Sequence, residues 1–386
     1  MINILFVHQS AELYGSDKTL LLLLQNLNRG MFYPVVILPN DGPLKEKLLH
    51  LNIEVHIAPV LKLHRKMFNP TNLILFIKQI RAGIKAMDLL NKKHHFDIVY
   101  SNTLAVLLGI IFASKRDIKH IWHVHEIIES PRIFKVAFQK MLAFKSNSVI
   151  VYNSLATQRF WDINDCIKRK SLAIQNGQEL KEIDFSDSDK KSLRKLLFKT
   201  DSEIVIALIG RISRWKGQLV LLEAFKKLIQ KEHNIKLVFV GSTPPNQEEF
   251  IEKLQIQIKE SNLENNVIIV PFQENIAAVW HSIDIAVVPS TEPEPFGLVA
   301  LEAMLAQKPV VASNHGGLSE IVVNNETGFL VEPTNVQSLA NALQLLITNP
   351  EMRTNFGANG YKRAKNEFSV KKYVNNFEDL FRKLSS

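Results

Sequence analysis

Four charged residues on two short stretches could do chemistry together. Gly210-Arg211-Ile212-Ser213-Arg214-Trp215-Lys216-Gly217 follows an apolar run and precedes an amphipathic one. A glycine lets backbone come close to a ligand, and Arg211 and Lys216 would add two cations beside a helix N-terminus, a setting that suits a diphosphate. The second stretch, Ser290-Thr291-Glu292-Pro293-Glu294-Pro295-Phe296-Gly297-Leu298-Val299-Ala300-Leu301-Glu302, also follows an apolar run. Its prolines stiffen the turn and set Glu294 just before a helix start. Gly297 would let the first-turn N–H groups reach a ligand, and Glu302, on the following helix, could take a diol such as a ribose. Read without a ligand, these are a βα turn with surface charges, a helix-start acid and a solvated helix face.

The elements that must carry these stretches alternate along the whole chain. Expected strands are Asn3–Val7, Val35–Leu38, Glu54–Ile57, Ile98–Tyr100, His120–Val124, Ser148–Tyr152 and Ser171–Gln175, then Ile204–Ile209, Lys236–Val240, Val267–Val270, Ile285–Val288, Pro309–Ala312 and Gly328–Val331. They are continuous β-branched runs, as in parallel strands covered on both faces. Helices are expected between them, among them Asp17–Leu27, Asn72–Asn91, Gln218–Glu232 and Glu248–Ser261. This repetition predicts an α/β protein of two Rossmann-like domains with parallel sheets facing an interdomain cleft, ligands lying outside the carboxyl ends of the strands. The pattern pauses at Asn176-Gly177 and restarts at Ile204. Domains are therefore expected over 1–177 and 178–369, with a hinge around 176–185 and a last helix in 370–386 that crosses back to the first domain.

The second stretch is also where a family resemblance becomes specific. Glu294 and Glu302, with Glu-Pro-Phe-Gly-Leu-Val-Ala-Leu-Glu-Ala-Met between and after them, resemble the E-x7-E signature of family 4 retaining glycosyltransferases of the GT-B fold. Gly210–Gly217 is similar to that family's diphosphate-binding segment. Asn314-His315-Gly316-Gly317-Leu318-Ser319-Glu320-Ile321 resembles its strand-end Gly-Gly turn, Asn324–Leu330 its Asn-x-x-x-Gly-Phe-Leu run, and Ile174-Gln175-Asn176-Gly177 its domain junction. The likeness is nearly continuous over the second half and weaker in the first. Tyr14-Gly15-Ser16-Asp17-Lys18 resembles the family's Gly-Gly turn near the donor phosphates, with Ser16 in place of the second glycine.

The resemblance implies a first domain for the acceptor and a second for the nucleotide sugar. It implies transfer of a hexose from a UDP- or GDP-type nucleotide diphosphate sugar, with retention, to a glycan or lipid-linked acceptor in cell-surface polysaccharide synthesis. Implied catalytic residues are His125, Glu294, Arg211 and Lys216. Gly15, Ser16, Gly210, Phe296, Gly297, Leu298, Glu302 and Phe272 would bind the donor, and Glu126 and His123 the acceptor. His123 and His125 share one side of an extended chain. His125 is the choice for the site, and His123 reads equally as a core histidine. No cofactor beyond the donor and no metal are expected. Asp187-Ser188-Asp189 reads as a helix start. No G-x-G-x-x-G follows the first strand, which disfavours a nicotinamide cofactor.

Composition sets the limits. The chain has 386 residues, 46% hydrophobic and 22% charged, and a single cysteine, Cys166, which excludes a disulfide framework and a Cys-based zinc cluster. The N-terminus lacks a basic n-region, and aliphatic runs such as Leu20–Leu24 fall far short of the ~20 residues of a membrane span. A cytoplasmic protein is expected. Residues 1–177 hold 23 Lys+Arg against 12 Asp+Glu, while the remainder holds 24 against 26. The basic first half suits an anionic partner: with Lys115-Arg116, Arg132/Lys135 and Lys168-Arg169-Lys170, it would meet an anionic surface at the inner face of the membrane. Nucleic acid is not expected, because no reader motif is present. A nucleotide-sugar epimerase and a catalytically silent nucleotide-sugar-binding module of the same fold remain alternatives.

Overall fold

A computed structural model of the chain describes residues 1–61, 70–180, 186–200 and 202–385. It divides into two compact units. Unit 1 is Met1–Gly177 with Val370–Ser386, and unit 2 is Gln178–Ser369.

Unit 1 is built on β1 (Ile2–His8), β2 (Phe32–Leu38), β3 (Glu54–Ile57), β4 (Ile98–Asn102), β5 (Lys119–Val124), β6 (Val149–Tyr152) and β7 (Ser171–Ala173). They form one sheet in the order β3-β2-β1-β4-β5-β6-β7, every pair parallel. Alternate residues of β1 enter different cores. Leu5 and Val7 join one buried cluster, and Ile4 and Phe6 join another. A strand covered on both faces has no polar side to show, which is why its sequence does not alternate.

Unit 2 repeats the plan with β8 (Ile204–Ile209), β9 (Ile235–Val240), β10 (Val267–Val270), β11 (Ile285–Val288), β12 (Val310–Ser313) and β13 (Gly328–Val331). Their order is β10-β9-β8-β11-β12-β13, again all parallel. The two expected parallel-sheet Rossmann-like domains are therefore present. Each sheet has a topological switch point, between β1 and β4 in unit 1 and between β8 and β11 in unit 2, where open α/β sheets open a crevice for ligands.

The last helix, Val370–Ser385, belongs to unit 1. Tyr373, Val374, Phe377, Leu380 and Phe381 recur at helical spacing and are buried with Ile4, Phe6 and Tyr100.

Some boundaries differ from expectation. β4 runs through Ser101 and Asn102, two polar residues that read as loop but are buried and paired. The final strand of unit 1 stops at Ala173 rather than Gln175. Residues 181–185 of the expected hinge lie outside the described residues. The Asp-Ser-Asp run opens the helix Asp187–Phe198, but its cap is Ser186, whose hydroxyl accepts from the Asp189 N–H at 3.1 Å while the Asp189 carboxylate accepts from the Ser186 N–H at 3.1 Å.

Candidate active site

In unit 2, two loops flank the switch point. One leaves β8 at Gly210, and the other leaves β11 at Pro289. Gly210 has φ +147°, and a Cβ built there would meet nothing within 4 Å, so the chain faces open space. At Gly217 (φ +79°) a Cβ would lie 2.0 Å from the Pro289 carbonyl oxygen. The Trp215 carbonyl accepts from the Thr291 N–H at 2.8 Å. The two loops are thus locked side by side, and this brings Lys216 and Glu294 together.

Lys216 Nζ lies 2.5 Å from Glu294 Oε1, and the Ser290 hydroxyl donates to the same oxygen at 2.6 Å. The lysine side chain is 13% exposed and the glutamate 7%. An ion pair this deep is held by geometry, since losing either partner strands a charge away from water. Lys216 Nζ also sits 4.3 Å from the centre of the Trp215 ring. Arg211 is exposed on the same loop, and its carbonyl accepts from Gln218 Nε2 at 2.9 Å.

Glu294 is positioned from a third loop, after β12. The Gly317 N–H donates to the Glu294 carbonyl at 2.7 Å, and a Cβ on Gly316 (φ +59°) would lie 2.3 Å from that oxygen. The Gly-Gly turn therefore buttresses the Glu294 loop. Gly297 (φ +114°) caps the helix Leu298–Leu305, whose first N–H groups, those of Leu298 and Val299, have no intrahelical acceptor. Phe296 is buried beneath this turn against Phe368, ring centres 5.9 Å apart. It supports the loop from the core side.

Glu302 does not lie on a solvated helix face. It is buried, accepting from Gln178 Nε2 at 2.9 Å and from Trp280 Nε1 at 3.2 Å. Phe272, at the end of β10, is 66% exposed, and its N–H donates to the Ser242 hydroxyl at 3.2 Å.

In unit 1 the polar residues also gather at the switch point. Gly15 and Ser16 form the first turn of the helix Gly15–Asn26, where the Asp17 carboxylate accepts from the Tyr14 N–H at 2.8 Å. His125, just past β5, is partly exposed and bonds Asn102 Oδ1 through Nε2 at 2.8 Å. Burial, reinforced by His8, pulls His125 down to about 3, so its imidazole is neutral at physiological pH. The Glu126 carboxylate accepts from the Leu104 and His125 N–H groups at 3.1 and 3.0 Å. Desolvation outweighs these bonds and pushes its carboxyl up to about 7.

His123 is a correction to the expected acceptor site. It is fully enclosed, with Nδ1 on the Tyr100 hydroxyl and its ring 5.2 Å from Phe377 and 3.9 Å from His125. The last helix fills the space on its side of the strand, so it packs under His125 rather than facing solvent.

Sequence reasoning missed Ser290, Gln178 and Trp280, which hold the two acids, and His8 and Asn102, which hold His125. Asp17 lies within the expected phosphate turn, where no role is expected of it. Tyr14-x-x-Asp17 carried a capping signal. Gln178, 124 positions from Glu302, carried none.

Two parallel-sheet Rossmann-like domains of this kind are the units of the GT-B fold. Residues 189–363 match the family model for glycosyl transferases group 1. The lipopolysaccharide 1,2-N-acetylglucosaminetransferase of Salmonella typhimurium is 32% identical over 322 residues, spanning 82% of this chain and 81% of that protein. The chain belongs to the group 1 glycosyltransferases.

Among particular relatives, the capsular polysaccharide biosynthesis glycosyltransferase CapM of Staphylococcus aureus is 26% identical over 359 residues, covering 90% of this chain and 89% of CapM. The crystal structure of Anabaena Alr3699/HepE in complex with UDP-glucose superposes with a TM-score of 0.84 at 26% identity, over 99% of this chain and 100% of that one.

Proposed function

We propose that this protein is a family 4, E-x7-E retaining glycosyltransferase. It moves a hexose from a nucleotide diphosphate sugar to a glycan or lipid-linked acceptor in the synthesis of a cell-surface polysaccharide. One observation carries the reading: a buried cation and carboxylate, Lys216 and Glu294, are clamped 2.5 Å apart on the loops that flank the switch point of unit 2. A diphosphate sugar needs this combination, a cation for the phosphates beside an acceptor for sugar hydroxyls. The UDP-glucose in the HepE structure supports a uridine donor, and CapM and the Salmonella enzyme support a surface glycan as product.

The chemical problem is leaving-group charge. Cleavage of the anomeric bond loads negative charge on the diphosphate and positive character on the sugar. Lys216 and Arg211 stabilise the growing charge, and the N–H groups of Leu298 and Val299 add to this; Gly15 and Ser16, at a helix start in unit 1, likewise suit a phosphate. Glu294 holds the sugar hydroxyls, and Glu302 takes the ribose diol. Gly210 and Phe272 border the nucleotide. In unit 1, His125 and Glu126 meet the sugar and the acceptor. The acceptor attacks on the face from which the diphosphate departs, and a donor phosphate oxygen takes its proton. The chain supplies this chemistry without a cofactor of its own.

Unit 1 is also the membrane-facing part of this reading. The helix Arg132–Leu142 exposes Ile133 (74%) and Val136 (41%), and Phe144 (54%) follows it. Arg132, Lys135, Lys140 and Lys145 lie among them. Exposed apolar groups flanked by cations suit an anionic bilayer at the cytoplasmic face. No described helix is long and apolar enough to cross one.

The test is a thermal-shift panel of UDP, GDP and their sugars, followed by transfer with the best donor and proton NMR of the product's anomeric linkage. Stabilisation by a nucleotide diphosphate and an unchanged anomeric configuration are expected. An inverted product would refute the retaining reading, and no response to any member of the panel would refute the donor.

A further inference from the structure

A chain of hydrogen bonds crosses the switch point of unit 1. Asp17 Oδ1 lies 2.5 Å from His8 Nε2, His8 Nδ1 lies 3.0 Å from Asn102 Nδ2, and Asn102 Oδ1 lies 2.8 Å from His125 Nε2. Asp17, His8 and Asn102 are each 1% exposed or less. The three come from the first helix, β1 and β4, so nothing local in the sequence requires them to meet.

Two groups in this chain can only accept, and they fix every proton in it. The Asp17 carboxylate takes the proton of His8 Nε2, which leaves His8 Nδ1 as an acceptor. Asn102 must therefore present its NH₂ to His8. The Ser16 carbonyl favours the same orientation through a longer bond, accepting from Asn102 Nδ2 at 3.3 Å. Asn102 Oδ1 then faces His125 and requires a proton on Nε2. What remains on His125 is the lone pair of Nδ1.

We propose that Asp17, His8 and Asn102 are positioning residues that lock His125 in the Nε2–H tautomer, so that Nδ1 is a dedicated acceptor for a sugar hydroxyl of the substrate. This rests on His125 being a substrate-contacting group, the reading given above. The orienting principle is the one by which a buried carboxylate sets a histidine tautomer in hydrolytic triads. Here the message passes through a second imidazole and an amide. Asn102 also joins His125 to the Ser16 turn, so the two substrate-facing features of unit 1 share one amide.

The experiment reads the ring nitrogens of His125 by proton–nitrogen NMR on the full chain labelled at histidine, with His125→Gln assigning the signals. The wild type is expected to show a protonated Nε2 and an unprotonated Nδ1. The reverse pattern would overturn the proposal without any variant having to fold. Asp17→Asn should switch it. The Tyr14 N–H, which donates to Asp17 Oδ2 at 2.8 Å, selects the amide rotamer that turns NH₂ toward His8. His8 must then carry its proton on Nδ1, Asn102 must flip and give up its 3.3 Å bond to the Ser16 carbonyl, and the His125 proton moves to Nδ1. Turnover of UDP-glucose should fall about tenfold or more, with the donor KM little changed. Ser10→Ala, which removes the 3.4 Å hydroxyl contact to Asp17 Oδ2 and the acceptor of the Glu12 N–H at 3.1 Å, should leave the tautomer in place. An Asp17→Asn protein whose His125 keeps its proton on Nε2 would refute the relay. If the tautomer switches while His125→Gln retains full turnover, the relay stands and the substrate-contact reading falls.

Discussion

Lys216 and Glu294 show how far charge chemistry depends on what surrounds a single side chain. Each compensates the other in a place with little water, so removing one costs more than removing both. Lys216→Met and Glu294→Gln are each expected to destabilise the protein by about 1–3 kcal/mol. The double variant should recover much of that in urea unfolding, yet all three should lose about 10²-fold or more in kcat. Glu126 carries a pH signature. Its carboxyl, raised from 4.5 to about 7 in the folded chain, holds a proton that the unfolded chain gives up. Above pH 4.5 the folded form binds more protons, so this group's contribution to stability falls as pH climbs toward 7 and levels off beyond it. Glu126→Gln should cancel that fall. Relative to wild type it should gain about 2 kcal/mol between pH 4.5 and 7.5, below the full shift because the side chain keeps some contact with water. Unfolding curves at several pH values check it; parallel pH profiles for the two proteins would count against it.

At the scale of elements, the site is an assembly of strand ends. The loops after β8, β11 and β12 are stacked so tightly that Gly217, Gly316 and Gly317 admit no side chain. Gly316→Ala would force a Cβ to 2.3 Å from the Glu294 carbonyl at a backbone angle that alanine resists. It should destabilise the fold by about 2 kcal/mol or more and displace Glu294. Donor affinity should drop together with stability, and isothermal titration beside urea unfolding reads both. A variant that lost stability but bound donor normally would mean that the Gly-Gly turn does not position Glu294.

For the whole molecule, the chain's return to unit 1 matters most. The helix Val370–Ser385 is separated from the rest of unit 1 by the 192 residues of unit 2 but shares the core of unit 1. Phe377 touches Tyr100, His123, Tyr373 and Phe381 at ring-centre distances of 5.8, 5.2, 5.1 and 5.8 Å. Phe377→Ala should cost about 3–5 kcal/mol. In hydrogen exchange on the intact chain, the amides of β1 and β4 should lose protection while those of β8 and β11 keep theirs; equal losses in both units would show that the two units unfold together. The same helix adds four basic residues to unit 1 against two acidic ones, deepening the charge asymmetry. Sedimentation with anionic and neutral vesicles should show binding to the anionic ones only, weakened by Lys135→Glu and by salt.

The strands, their parallel pairing and the two charged loops could be read from residue order, because a strand buried on both faces must be apolar throughout and a loop that grips an anion must carry cations and glycine near each other. Glu54–Ile57, Ile204–Ile209 and Ile285–Val288 keep the same ends in the structure. Reading failed where polar residues lie inside. The expected strand ends at Tyr100, yet the pairing of Ser101 and Asn102 across the sheet continues β4. His123 and His125 are alike in type and side, and packing alone separates them, since Phe377 arrives from the far end of the chain to cover one. Gln178 on Glu302, and Asp17 on His8, depend on distances in space that no local pattern encodes. Hydrophobic periodicity is written residue by residue, whereas a hydrogen-bond partner is chosen by whichever distant group the folded chain delivers to it.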